Sequence, residues 1–254
     1  MDKLKQLLVD EFLRRNLYEN PKYTDSKRLN KFEWQVFSQG GEDGIITEIF
    51  KRIGLTQRFF VEFGCGDGLY CNTALLILEG WRGFWIESNK AFFKKAQEKF
   101  GGHVAIKNAL VTTKNIERLL EENDVPQEFD FLSIDIDRND YWIWKAIEDW
   151  HPRVVMIEYN ATWPASMRWV IDYKPDAKWD GSFWFGASLK ALEELGNEKG
   201  YKLVGCSFTG VNAFFVRADL VEDKFHSPFT SENHYEPPRY FLIRNVGHRR
   251  GFDA

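Results

Sequence analysis

The segment Val61-Glu62-Phe63-Gly64-Cys65-Gly66-Asp67-Gly68, followed one helix length later by Trp85-Ile86-Glu87, constrains the fold more than any other part of the chain. A hydrophobic strand runs into a turn with glycine at every second position, a helix-like stretch follows from Asn72 to Leu78, and a second strand ends on an acid. Glycines so spaced let the backbone approach a ligand closely, and the acid can accept hydrogen bonds from two ribose hydroxyls. The unit therefore predicts a nucleotide-shaped pocket.

The rest of the chain continues the same alternation. Strand patterns fall near 59–63, 83–87, 103–107, 129–135, 153–158, 201–206 and 211–217, with helical patterns between most of them. Such alternation predicts a parallel sheet covered on both faces, and the short turn at Thr209-Gly210 predicts a final antiparallel hairpin. At 254 residues we expect one domain. It divides into an N-terminal helical extension (1–57), a Rossmann-like core (58–217), an insertion (161–186) and a C-terminal tail (218–254). The insertion and the tail are too long for ordinary connections and are expected to meet the substrate, the tail as a lid. Leu4, Leu8 and Phe12 recur at helical spacing and predict an amphipathic helix that packs on the body or on another subunit, so a homodimer is possible. Ser38 to Gly44 open a second periodic segment through Ile45, Ile49 and Ile53, where capping accounts for the acids Glu42 and Asp43.

Charge and cysteine usage narrow the function. The net charge is -4 and no block of basic residues stands out, which argues against a nucleic-acid partner and favours small or neutral substrates. No apolar run reaches membrane-spanning length, and Cys65, Cys71 and Cys206 form no C-x-x-C pair. We expect a soluble, cytoplasmic protein with reduced thiols.

A second constellation follows the glycine turn. Phe129-Asp130-Phe131-Leu132-Ser133-Ile134-Asp135-Ile136-Asp137 is an apolar strand ending in two carboxylates, and the next strand ends in Glu158-Tyr159-Asn160. If the two strands are neighbours, roughly 5 Å apart, Asp135, Asp137, Glu158 and Asn160 converge where open parallel sheets bind ligands. Acids so gathered repel one another unless they are protonated or share a cation. Oxygen ligands favour a hard ion such as Mg²⁺ or Mn²⁺. Alternatively Asp137 or Glu158 is a general base, or Asp135 and Asp137 cap the following helix.

The pattern Glu62-x-Gly64-x-Gly66-x-Gly68 with Glu87 differs from the dinucleotide spacing G-x-G-x-x-G and sets two carboxylates, Glu62 and Asp67, where a pyrophosphate would be repelled. It resembles the first motif and second-strand acid of class I S-adenosylmethionine-dependent methyltransferases. Gln39-Gly40-Gly41-Glu42-Asp43-Gly44, Gly80-Trp81-Arg82-Gly83, Ser133-Ile134-Asp135-Ile136-Asp137 and Ile157-Glu158-Tyr159-Asn160 resemble the FkbM-like group associated with bacterial capsule and surface-glycan biosynthesis. The resemblance spans about residues 39–217. It implies a seven-stranded, mainly parallel sheet with a C-terminal antiparallel hairpin. It also implies that Glu62, Gly64, Gly66 and Asp67 surround the methionine part of S-adenosylmethionine, Glu87 the ribose, and Asn108 and Ala109 the adenine, with Asp135 near the reacting centre.

The resulting expectation is an O-methyltransferase for a sugar hydroxyl, assisted by a divalent cation at Asp135, Asp137, Glu158 and Asn160. Trp163, Trp179 and Trp184 would stack on the sugar ring, Arg168 would hold a phosphate of an activated sugar, and His226 in the tail is a candidate base beside Asp135 and Asp137. A non-sugar acceptor and an NAD-binding oxidoreductase are the alternatives.

Overall fold

The structure, a computed structural model, describes residues 3–243. The tail from residue 244 on, with His248, lies outside the described residues. The seven expected strands form one sheet: β1 (Phe59–Phe63), β2 (Arg82–Glu87), β3 (Ala105–Asn108), β4 (Phe131–Ile134), β5 (Val154–Glu158), β6 (Tyr201–Cys206) and β7 (Asn212–Arg217). Their order is β3-β2-β1-β4-β5-β7-β6. Only β7 runs antiparallel to its neighbours, so the sheet is Rossmann-like with a C-terminal hairpin, as the resemblance implies. β3 begins two residues later than the spacing predicts, because His103 still bonds back to Phe100 O (2.8 Å) in the turn that leaves the preceding helix.

Alternation along the strands assigns the helices to two faces. Val61, Phe63, Phe84, Ile86, Leu132, Ile134, Val155, Ile157 and Phe215 point to one side. There they pack on α5 (Ile116–Glu121), α6 (Asp140–Ala146) and α7 (Leu189–Glu198). Phe60, Trp85, Phe131, Met156 and Phe214 point to the other. There they meet α2 (Glu42–Ile53), α3 (Ala74–Leu78) and α4 (Lys90–Phe100). Both faces are covered except at the edge strand β3, which is mostly exposed.

The N-terminal segment forms α1 (Lys3–Leu13) and a wider turn to Tyr18. Phe12 and Leu17 anchor its far end on Tyr23 and Phe208, while Leu4, Leu7 and Leu8 are exposed. The two short helices α8 (Ala218–Val221) and α9 (Ser231–His234) begin the tail.

Two histidines of the tail, His226 and His234, are fixed by different surroundings. His226 bonds Asp25 (2.7 Å) and follows Lys224, whose carbonyl accepts from Arg52 in the last turn of α2. That turn lies at the amino ends of the strands, a helix length of about 18 Å from the start of α2. His226 is thus held at Asp25 beside the last turn of α2, and among the described residues no hydrogen bond joins it to Asp135 or Asp137. His234 is buried, and burial with the nearby Arg28 charge pushes its imidazole down to about 3 from its ordinary 6.5. Below pH 6.5 the unfolded chain takes up a proton that the folded chain refuses until about pH 3. Folding stability should therefore fall on acidification across that window, by up to about 1.4 kcal/mol per pH unit from this group. Urea midpoints of the wild type and His234→Phe at pH 7 and pH 5 check this, the variant losing less on acidification; equal losses would refute it.

Candidate active site

The chain reverses direction across the sheet between β1 and β4, which opens a crevice beyond their carboxyl ends. Strand register sets one row of residues along its floor. Glu87 pairs with Asn108 and Glu158 with Asn212 directly. Gly64 and Asp135 are next in register after Phe63↔Ile86, Phe63↔Ile134 and Ile134↔Ile157. The row therefore reads Asn108, Glu87, Gly64, Asp135, Glu158, Asn212. Strand alternation turns Glu62, Glu87, Ser133, Glu158 and Asn212 toward the α2 face.

The glycine turn is built around this row. Gly64 has φ +83 and lies so close to β4 that a Cβ would sit 1.8 Å from Asp135 O. Gly66 donates its N–H to Glu87 Oε2 (2.8 Å), and Asn89 N–H donates to Oε1 (2.6 Å). Each Glu87 oxygen keeps a lone pair, enough to accept a ribose diol. Asn108 and Ala109 bond the backbone at Glu87 from the neighbouring strand end, where an adenine would lie.

Two expected cofactor contacts are engaged elsewhere. The buried Glu62 carboxylate accepts from Asn72 N (2.9 Å), Thr73 N (3.1 Å) and Thr73 Oγ1, itself bonded by Trp85 Nε1, so Glu62 fastens the loop to β1. It also occupies the N–H groups at the start of α3 that a pyrophosphate would need, which counts against a dinucleotide. Asp67 bonds Leu69 N (3.1 Å) and faces Lys99 (3.5 Å).

The acids beyond β4 and β5 do converge. Burial first, then the charges of Asp140 and Asp137, hold Asp135 well above the ordinary carboxylate range. Burial and then Asp135 do the same for Glu158, and burial raises Asp140 to about 7. No described residue donates a hydrogen bond to the Asp135 or Glu158 carboxyl; Asp140 Oδ1 accepts from Ile136 N (2.8 Å), while its buried Oδ2 has no partner. Asp137 sits in the left-handed region (φ 67) at the exposed crest of this turn.

The expected metal set does not fit. Asn160 is buried and turned to the insertion, donating to Phe183 O (2.7 Å) and Phe185 O (3.0 Å) and accepting from Thr162 N (3.1 Å). Among the described residues no three His, Cys, Asp or Glu side chains are placed to hold a metal ion.

The insertion packs against the turn after β4, and the tail bonds its first residue, Tyr235 OH donating to Ala161 O (2.5 Å). Gly186 N bonds Arg138 O (3.1 Å) and Asn139 Nδ2 bonds Lys174 O (2.9 Å), tying the insertion to the turn after β4. Trp163 stacks on Trp169 (4.8 Å, 25°) and both meet Trp184, so these rings cover one another. What they offer outward is Trp179, Phe183 and Trp184, each about half exposed (48%, 50% and 48%). Arg168 is paired with Glu194 on α7 (2.8 Å).

The tail crosses as a strap. Tyr159 OH donates to Glu236 O (2.6 Å), Arg239 N to Thr209 O (2.7 Å), and the buried Glu236 carboxylate takes Tyr23 OH, Lys22 and Arg239. Burial first, and then the charge of Glu158, raises the phenol of Tyr240 at the end of this strap.

Sequence reasoning missed three of these groups. Glu42, read as a helix cap, sends its carboxylate to Asn212 Nδ2 (3.0 Å) and Gly40 N (2.8 Å). Its signal was a second acid beside Asp43, which alone gathers the amides of Val36, Phe37 and Ser38. Asn212 and Tyr240 carry no local signal. A small cavity lined by Trp144, Trp150, Pro152 and Lys199 lies at the opposite edge of the sheet, far from these groups.

No family model matches the sequence, and no protein of curated function matches it significantly. Solved structures with a loosely similar fold include an S-adenosylmethionine-dependent methyltransferase from Clostridium acetobutylicum ATCC 824 (11% identity over 82% of this chain and 98% of that one, TM-score 0.45). Another is the N-terminal domain of EvdMO1 with S-adenosylhomocysteine bound (13%, 82% and 94%, TM-score 0.45). A third is an O-methyltransferase from Bacillus cereus in complex with S-adenosylhomocysteine (16%, 60% and 66%, TM-score 0.39). Likeness at this level carries over no ligand and no substrate.

Proposed function

We propose that the protein is an S-adenosylmethionine-dependent methyltransferase acting on a hydroxyl of a small acceptor, a sugar or sugar nucleotide of the kind used in surface glycans. The observation that carries the reading is the row Glu87, Gly64, Asp135, Glu158, which sets a ribose acceptor, a close-approach glycine and two unpartnered carboxyls side by side. Glu87 accepts the ribose hydroxyls, Asn108 and Ala109 flank the adenine, and the turn from Gly64 to Gly66 lets the methionine part lie on the backbone. The sulfonium is then next to Asp135, where its positive charge offsets the repulsion among the acids.

Methyl transfer is an in-line displacement: the acceptor oxygen bonds the methyl carbon as the carbon–sulfur bond breaks, and the sulfur leaves with that electron pair. The hydroxyl proton passes to Asp135, giving a methyl ether and S-adenosylhomocysteine. Holding the acceptor in line does most of the work, and the half-exposed Trp179, Phe183 and Trp184 supply a face for a sugar ring. Asn160, one of the four expected metal ligands, is committed to the insertion, so no step is assigned to a metal ion.

Isothermal titration with S-adenosylhomocysteine and NADH, and mass spectrometry of a methylation screen over sugars and sugar nucleotides with and without EDTA, test this. The expected results are binding of S-adenosylhomocysteine alone, one added CH₂ on a sugar, and no loss with EDTA. NADH binding without S-adenosylhomocysteine binding would overturn the reading. Transfer abolished by EDTA and restored by Mg²⁺ or Mn²⁺ would bring the metal back.

A further inference from the structure

We infer that the crevice carries a separate cation-recognition subsite at Glu158, Asn212 and Glu42, and that it selects an acceptor bearing a protonated amine, such as an amino sugar. The inference rests on the methyl-transfer reading only in calling that ligand the acceptor. Glu158 and Asn212 face each other across the antiparallel pair β5–β7 on the α2 side of the sheet, and Glu42 reaches Asn212 from the start of α2.

None of the ion pairs among the described residues involves Glu42, Asp135 or Glu158. The acids alone would not point to a ligand, but Asn212 does. It is 4% exposed, its Nδ2 is committed to Glu42 Oε1, and its buried Oδ1 has no hydrogen-bond partner. Turning the amide over would set that oxygen against the Glu42 carboxylate, so the free acceptor stays free. Leaving it so costs stability unless a ligand donates to it.

The chemistry of that ligand follows from what lines the subsite. Glu158, Asn212 Oδ1 and Glu42 all accept hydrogen bonds, so the ligand must donate several. A phosphate would add to the repulsion and a neutral hydroxyl would leave it in place, whereas an ammonium offers three donors and the missing positive charge. The cofactor does not supply that charge here. At about 4.8 Å per strand, Glu158 lies roughly 10 Å and Asn212 roughly 14 Å from Gly64, two and three strands beyond the glycine turn. Asp135, one strand away, is left to the sulfonium.

The test titrates protein saturated with S-adenosylhomocysteine with matched sets: glucosamine, N-acetylglucosamine, glucose and glucose 6-phosphate, and a linear amino alcohol with its N-acetyl derivative. The expected result is that each free amine binds at least about tenfold more tightly than its N-acetylated or hydroxyl counterpart. Glu158→Gln and, separately, Asn212→Leu should bring that ratio toward one, and Asn212→Leu should leave S-adenosylhomocysteine affinity unchanged. Equal binding of amine and N-acetyl partners, tighter binding of the phosphate, a preference that survives Glu158→Gln, or no binding across the panel would overturn the subsite. If S-adenosylhomocysteine itself fails to bind, the methyl-transfer reading fails, and the same titration without it still decides whether the subsite selects amines.

Discussion

Gly64→Ala is expected to abolish S-adenosylhomocysteine binding, by more than about 100-fold, and to lower the melting temperature markedly. Two effects combine at this position. The backbone sits at φ +83, where an L side chain costs about 1–2 kcal/mol. The added Cβ would then stand 1.8 Å from Asp135 O and 3.0 Å from Asp135 C, and because both are backbone atoms no side-chain rotation relieves the clash. Either the end of β1 or the end of β4 has to move, which breaks the register that sets Glu87, Asp135 and Glu158 in one row. Gly66→Ala is the control: its φ is +59 and nothing lies within 4 Å of its Cβ. It should lower the melting temperature only by the conformational strain. Calorimetry and thermal melts of both variants check the contrast, and Gly64→Ala binding as the wild type does would show that the glycine is not there for close approach.

The strands and most of the row along the crevice were legible because each is a local pattern. Apolar pairs facing alternate sides, glycines ending β1 and acids ending β2, β4 and β5 all fall within a few residues of one another, and register then aligns them. Groups brought together across the chain were not legible. Glu42 and Asn212 bond across 170 positions, and the tail is held over the body by Glu236, which is fastened to Lys22 and Tyr23 at the other end of the sequence. Local reasoning also assigned Asn160 by proximity to Glu158. Two residues past the strand end, its amide points into the insertion instead, where it holds the carbonyls of Phe183 and Phe185. Likewise the tryptophan cluster signals aromatic surface but not which rings will cover one another, since the contact of Trp163 with Trp169 and Trp184 depends on how the insertion folds back.

The proton acceptor is the part of the mechanism most exposed to test. Asp135→Asn should lower the single-turnover transfer rate by about 10²–10⁴-fold with the acceptor that the screen identifies. The S-adenosylhomocysteine affinity should change by less than about tenfold. Asparagine has nearly the same volume, and Asp135 touches Gly64 through its backbone carbonyl, which the variant keeps. What is lost is a carboxyl able to take a proton at the point where the row passes from the cofactor side to the acceptor side. Glu158, next in register, does not replace it directly, because it lies one strand farther from the glycine turn and so from the methyl group. A rate loss confined to Glu158→Gln, with Asp135→Asn transferring methyl nearly as the wild type does, would move the base one strand over. Loss of both rate and cofactor affinity in Asp135→Asn would instead make Asp135 a sulfonium-binding group, leaving the hydroxyl to give up its proton elsewhere.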